Sequence, residues 1–275
     1  MSKITIITVN FNNLEGLKKT AESVLSQTYK DFEFIIVDGG SRDGSKEYIE
    51  EISDNVTLWV SEPDSGIYNA MNKGIKMAKG DYICFLNSGD IFFDENTLNS
   101  VANQVDGEVG IYYGDMIWNE KRRRRLIQVP EMLTYPYVLS HGVNHQSCFI
   151  KRSLFEEFFF YNEEFKIIAD WEFLLYVIFK KNILTKHLGI TVCIYDATGI
   201  SSVGKNQRAI YDDRQIVIDR HFPLYNFNPE AIKTLTEKRG KQFLYIKKHR
   251  IAYRVLKWCM SLILIFLPER NFKND

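Results

Sequence analysis

The chain opens with an apolar, β-rich run at Lys3 to Val9. A helical stripe of Leu14, Leu17, Ala21, Val24 and Leu25 follows, and then a continuous apolar run at Phe32 to Val37. A stretch apolar at every position suits a parallel strand covered on both faces, whereas apolar residues three and four apart line one face of a helix. Asn12 with Glu15 three residues on predicts a capping box for the first helix. The alternation continues with a helix near 44–52, a strand near 56–60, a helix near 66–79 and a strand at 81–86. Strand and helix in this alternation predict an α/β fold, with a mainly parallel sheet and helices on both faces.

After residue 106 the pattern loosens. Gly110 to Trp118 and Leu126 to Val129 read as strands flanking the basic run Lys121 to Arg125, and His145 to Ile150 reads as another strand. Residues 170–181 form a strong helix pattern with an acid at its start and lysines at its end, as the helix dipole favours. Residues 205–257 are largely helical by composition, and neither an internal repeat nor a low-complexity linker interrupts the chain. The expected division is 1–204, with halves at 1–106 and 107–204, followed by a helical region at 205–275.

Ligands of such sheets bind outside the carboxyl ends of the strands, where the strand order reverses. The predicted strand ends read T-V-N-F-N-N, V-D-G-G-S-R-D-G-S, S-E-P-D-S-G and L-N-S-G-D. One such turn is ordinary loop chemistry, since Asn, Asp, Gly and Ser dominate turns. Four on one edge make a polar site for a ligand rich in hydroxyls or phosphates.

Composition narrows the partners. The chain has 275 residues, 45% of them hydrophobic, which is enough for a full core, and a formal net charge of zero gives no global attraction to nucleic acid. Cys84, Cys148, Cys193 and Cys259 are far apart among apolar residues, which predicts buried free thiols in a reducing cytoplasm. The N-terminal apolar run is too short for a signal peptide. Near the other end a basic stretch leads into W-C-M-S-L-I-L-I-F-L, about half of the ~20 residues a spanning helix needs. Two readings fit it. One is a surface helix with Lys247, Lys248, Arg250, Arg254 and Lys257 toward lipid headgroups and Trp258 below them; the other is a helix docked on protein.

V-D-G-G-S-R-D-G-S lacks the GxGxxG spacing and the chain has no GxxxxGK, which argues against dinucleotide oxidoreductases and P-loop NTPases. The strand-end segments, together with H-Q-S-C-F-I-K-R and A-D-W-E-F-L-L in this order, resemble family 2 glycosyltransferases of the GT-A fold, closest to bacterial enzymes of O-antigen, colanic-acid-like and capsular polysaccharide assembly. The likeness spans residues 3 to about 200.

The resemblance implies an inverting transfer of a hexose, with glucose and a β linkage as first expectation, from a UDP-sugar to a polyprenyl-diphosphate-linked saccharide. Residues 1–106 would bind the nucleotide-sugar and 107–204 the acceptor. Thr8, Asn10 and Asp38 would hold the nucleoside, and Asp64, Asn72 and Lys73 would line the pocket beside it. Asp170 matches the usual catalytic base, with Glu172 a supporting acid and His145 near donor and acceptor. A divalent metal, Mn²⁺ or Mg²⁺, would neutralise the departing diphosphate. The family commonly carries D-x-D where this chain has Asn87-Ser88-Gly89-Asp90, which leaves Asp90 as the expected metal ligand. Attachment at the inner face of the plasma membrane would follow from a lipid-linked acceptor.

Plainer roles exist for several of these groups. Asp38 and Asp43 suit Asx-type turns, Asp170 suits a helix start, and His141 with His145 invites a metal pair. The basic run 121–125 suits a solvated hairpin or an anionic partner. Two rival functions are a non-catalytic sugar-nucleotide or membrane-binding relative, and a nucleotidyltransferase-like enzyme, although T-V-N-F-N-N offers no phosphate loop for the latter.

Overall fold

A computed structural model describes residues 3–120, 123–197, 207–223 and 237–264. The chain forms two compact units, Met1–Asn226 and Phe227–Asp275. The first is built on one sheet whose strands are β1 (Ile4–Asn10), β2 (Phe32–Asp38), β3 (Leu58–Ser61), β4 (Tyr82–Phe85), β5 (Ile91–Phe92), β6 (Ile111–Glu120), β7 (Arg123–Ile127), β8 (Cys148–Lys151) and β9 (Thr185–Asp196). Their order is β3-β2-β1-β4-β8-β6-β9-β5, with β7 hairpinned onto β6. Strands β3, β2, β1 and β4 run parallel, as their unbroken apolar runs predict, and β8 is antiparallel to both of its neighbours. Every residue of β1 is buried, so the sheet is covered on both faces.

Helices α1 (Leu14–Leu25), α2 (Ser45–Glu51), α3 (Ile67–Met77), α4 (Thr97–Ala102), α5 (Tyr135–His141), α6 (Ser153–Glu157), α7 (Ala169–Phe179) and α8 (Gln207–His221) complete the first unit. The chain passes from β1 to β2 and β3 on one side and reaches β4 on the other, so the strand order reverses between β1 and β4. That reversal opens a crevice at their carboxyl ends.

Several local expectations shift. The cap of α1 is Asn13, whose side chain accepts from Gly16 N, while Asn12 adopts φ +50° and ties two loops through Ser41 and Arg42. Asparagine tolerates this left-handed conformation, so the bridging role takes the residue expected to cap. The expected strand at His145 begins only at Cys148, because His145–Ser147 form one 3₁₀ turn. Arg123 to Arg125 lie on the exposed strand of the β6–β7 hairpin, in keeping with the solvated-hairpin reading, so that strand starts before the expected Leu126, and residues 121 and 122 fall outside the described residues. Three cysteines are buried and free as expected, but Cys259 is exposed.

The second unit contains α9 (Lys238–Lys247) and α10 (Arg250–Leu264). Along α10, Ile251, Val255, Trp258 and Leu262 form an exposed apolar stripe at helical spacing, with Arg250, Arg254 and Lys257 one position behind. Among the described residues no helix is long and apolar enough to cross a membrane.

At the amino-terminal edge of the sheet, Thr5 pairs in register with Glu33, a buried acid that accepts from the Thr5 hydroxyl and from the backbone N–H groups of Lys79 and Gly80. Burial pushes its carboxyl up, but these hydrogen bonds and nearby Lys3 outweigh burial and hold it below the ordinary value. Its contribution is therefore present above the unfolded carboxylate range and lost as pH falls through the folded value. Glu33→Ala is expected to cost about 1–3 kcal/mol in urea unfolding at pH 7, with a smaller penalty in acid.

Candidate active site at the strand ends

The crevice is a cavity of about 810 Å³, within the ordinary range for small-ligand sites. Asn10, Asp64, Asp90, His145 and Asp170 line it. Thr8, Asp38, Asn72, Lys73 and Glu172 are not brought to its wall, and each is engaged elsewhere. The Thr8 hydroxyl donates to Leu86 O, linking β1 to the end of β4. Asn72 reads the backbone of Tyr161 in both directions and donates to Glu163. Lys73 forms a 2.7 Å ion pair with Glu62.

Asp38 stands in register beside Asn10 and lies directly behind the wall. It accepts from Asn10 Nδ2 at 2.8 Å, from the Ser41 backbone and hydroxyl, and from the Ser61 hydroxyl at 2.7 Å. Burial raises its carboxyl and these donors more than offset it, so the group stays charged. Its turn and its anchoring of Asn10 are one arrangement. Asn10 Nδ2 is thereby occupied, while Asn10 Oδ1 is buried without a partner. Phe11, 65% exposed, and Asp64 flank this oxygen's strand end along the cavity wall. A Cβ on Gly39 would lie 2.5 Å from Asp64 Oδ2, so a side chain there would displace this carboxylate.

At the end of β4, Gly89 takes φ +107° and turns Asp90 inward. Asp90 is 3% exposed, with Oδ1 accepting from Asp196 N at 2.8 Å and Oδ2 from Gln146 at 3.2 Å. Burial pushes its carboxyl up to about 7, against the hydrogen bonds and the charge of His145, with Asp196 adding to the rise. Asp196, from the end of β9, was not anticipated, because its strand showed no clear pattern. A Cβ on residue 89 would lie 3.2 Å from Asp196 Oδ2, so this carboxylate fills the space that a side chain at position 89 would enter. Two carboxylates thus share one wall. Beside them, Asn87 Oδ1 and Ser88 Oγ are buried without partners.

These are hard oxygen donors, the kind that Mg²⁺ and Mn²⁺ prefer, and such ions are commonly held by one or two carboxylates plus substrate phosphates. Among the described residues no group of three His, Cys, Asp or Glu side chains is arranged to hold a metal. Asp90 and Asp196 supply two such oxygen donors on one wall. His141 ends α5, stacked on Tyr137, rather than sharing a strand with His145.

The first turn of α7 reaches the same cavity. Asp170 accepts from the Tyr68 hydroxyl through Oδ1 at 2.7 Å and faces His145 Nδ1 through Oδ2 at 2.6 Å. Burial raises its carboxyl, and the charge and hydrogen bond of His145 with that of Tyr68 bring it below the ordinary value. Glu172, two residues on, points away from the cavity into a contact with His221 at 2.9 Å and Arg220 at 3.5 Å. It clamps α8 to α7. The clamp sets Arg214 of α8 on the cavity wall, its guanidinium 4.7 Å from the Trp171 ring centre and its Nε buried without a partner. Composition alone had marked this region only as helical, so Arg214 was also missed.

The family model for glycosyl transferase family 2 matches residues 5–167. An uncharacterised glycosyltransferase of Mycobacterium tuberculosis strain H37Rv is 32% identical over 246 residues, covering 87% of this chain and 91% of that protein. Among solved structures, Staphylococcus aureus TarS 1–349 in complex with UDP-GlcNAc superposes with a TM-score of 0.63 at 18% identity, covering 89% of this chain and 79% of that one. A mannosyltransferase from Pyrobaculum calidifontis in complex with GDP-Man and Mn²⁺ superposes at 0.56 and 16% identity, covering 95% and 80%. The fold is that of the GT-A enzymes. With the family model spanning over half of its length, this chain belongs to the family 2 glycosyltransferases.

Proposed function

We propose that the protein transfers a hexose, glucose in the first instance, from a UDP-sugar to a hydroxyl of a saccharide carried on polyprenyl diphosphate, with inversion to a β linkage. The observation that carries this reading is that one cavity gathers the Asp170–His145 pair and the strand-end residues Asn10, Asn87 and Ser88, each of which keeps a buried oxygen without a protein partner. Buried acceptors without partners cost free energy unless a ligand donates to them. A nucleobase imide N–H suits Asn10 Oδ1, with the Phe11 ring beside it, and sugar hydroxyls suit the other two.

A divalent cation held by Asp90 and Asp196 would offset the charge that develops on the departing diphosphate. Arg214 and Lys166 bring positive side chains to the same cavity and suit phosphate oxygens. One proton acceptor suffices for a single displacement, and the Asp170–His145 pair supplies it. The stripe of Ile251, Val255, Trp258 and Leu262 beside Arg250, Arg254 and Lys257 supports attachment to an anionic membrane face, where a lipid-linked acceptor resides. The neighbours' ligands, UDP-GlcNAc in one and GDP-Man in the other, support a nucleotide-sugar donor and make donor identity an experimental variable.

The test is incubation with UDP-sugars and GDP-mannose, Mn²⁺ and a short diphospholipid-linked acceptor. Transfer from a UDP-hexose is expected. Absence of transfer with every donor, alongside UDP binding by calorimetry, would favour a non-catalytic relative. Asn10→Ala is expected to weaken UDP binding about tenfold, the worth of roughly one hydrogen bond. Asp170→Asn should abolish turnover and leave UDP affinity within a few-fold.

Asp90 makes a separate prediction. With its carboxyl raised to about 7, the folded chain keeps a proton that the unfolded chain releases from about pH 4 upward, so the metal-free protein loses stability as pH rises to 7. In EDTA, wild type should lose more melting temperature between pH 5 and pH 8 than Asp90→Asn does. The variant should also lose stimulation by Mn²⁺. Equal pH slopes for the two proteins would contradict the burial account.

A further inference from the structure

We propose that Trp118, Tyr195 and the hairpin residues Arg123 and Arg125 form a subsite for the second substrate, with its sugar ring packed on the aromatic pair and its diphosphate held by the arginines; this rests on the glycosyl-transfer reading above. Strand register builds the subsite. Trp118 of β6 pairs with Tyr195 of β9 on one side and with Arg125 of β7 on the other. Residues directly opposite in neighbouring strands share a face of the sheet, so these three side chains form one row. The Trp118 and Tyr195 rings lie 5.0 Å apart between centroids, and the Arg125 guanidinium is 5.1 Å from the Trp118 ring centre. Alternation along β7 puts Arg123 on the same face as Arg125 and Arg124 on the other, where its Nε donates to Asn119 Oδ1 at 3.0 Å.

Trp118 and Tyr195 both line the cavity, whereas Arg123 and Arg125 are exposed. The row therefore leads from the cavity to solvent, aromatic surface first and positive charge after it. Tyr195 immediately precedes Asp196, whose backbone N–H donates to Asp90 Oδ1 at 2.8 Å. The inner end of the row thus adjoins the two carboxylates to which the proposed function assigns the cation.

The ligand class follows from these groups. Trp118 Nε1–H is buried and has no acceptor among the described residues, although a buried indole N–H ordinarily finds one. It only donates, so its partner is an acceptor atom such as a sugar hydroxyl oxygen, while the apolar face of the sugar ring covers aromatic carbon. Guanidinium groups hold phosphate oxygens through paired N–H donors. The donor's own diphosphate is assigned to the cation at Asp90 and Asp196, which leaves the exposed arginines to a phosphate of the other substrate. A sugar joined to a diphosphate has its groups in the order of the row.

The experiment is transfer kinetics on the full chain with two acceptors bearing the same sugar, one on a short lipid diphosphate and one on a plain alkyl chain. Wild type should favour the diphosphate acceptor by at least about tenfold in kcat/KM. The double variant Arg123→Gln, Arg125→Gln should lose that preference and keep its rate with the alkyl glycoside within a few-fold. Trp118→Phe, which keeps an apolar ring beside Tyr195 and lacks the N–H, should raise KM for both acceptors about fivefold, with KM for the UDP-sugar nearly unchanged. A diphosphate preference that survives in the arginine variant would overturn the proposal, as would a Trp118→Phe enzyme whose KM rises for the donor alone. Weaker binding of the arginine variant to phosphatidylglycerol vesicles, with the acceptor preference intact, would also overturn it by giving the arginines to lipid headgroups. A wild type silent with every donor would overturn the transfer reading; the subsite is then decided by calorimetry with the diphosphate acceptor, where about tenfold weaker binding by the arginine variant supports it and equal binding overturns it.

Discussion

The 2.6 Å contact between His145 and Asp170 is the constraint on which the site's geometry depends. It bridges the start of α7 and the turn entering β8, two segments brought together by the insertion of antiparallel β8 between β4 and β6. One turn of α7 then serves two directions. Asp170 faces the cavity, while Glu172, displaced by two residues of helical rotation, faces α8 and binds His221 and Arg220. Trp171 between them carries the Arg214 guanidinium on its ring and donates its indole N–H to Val138 O. The pair thus orders a second layer that brings a cation to the cavity.

The strand-end wall follows from the parallel sheet. Strands β1, β2 and β4 end side by side, and their polar residues must find partners across neighbouring turns or in a ligand. Asp38 takes four donors and is satisfied within the protein. Asn10, Asn87 and Ser88 each retain an oxygen with none. The division separates residues that shape the edge from residues that a ligand completes. Asp90 lies between these cases, hydrogen-bonded through both oxygens yet costly to ionise without a nearby cation. Gly89 makes that position possible by turning the chain, and Asp196 occupies the space that its missing side chain leaves.

Much of this was legible in the sequence wherever local pattern and tertiary environment coincide. The continuous apolar runs of β1 and β2 announced strands covered on both faces, and the polar strand ends located the crevice. Asn10, Asp64, Asp90, His145 and Asp170 came from one ordered motif series and line one cavity. The unpredicted parts depend on long-range pairing. β9 mixes exposed and buried positions along twelve residues and pairs with β6 through a register shift, so neither alternation nor a continuous run marked it. Asp196 and Arg214 reach the cavity through that strand and through α8, with no local motif to flag them. Glu172 looked like a companion of Asp170 because it is near in sequence, but helical rotation sends it the other way.

The proposed function seats a uridine nucleotide against Asn10, Phe11 and Asp64 at the ends of β1 and β3. Photolabelling with a photoreactive uridine diphosphate analogue, followed by peptide mapping, reads out that position. Label is expected on the segments around residues 10–13 or 38–41 and 61–66, removed by excess UDP. Label confined to other segments, or label that UDP does not displace, would contradict it.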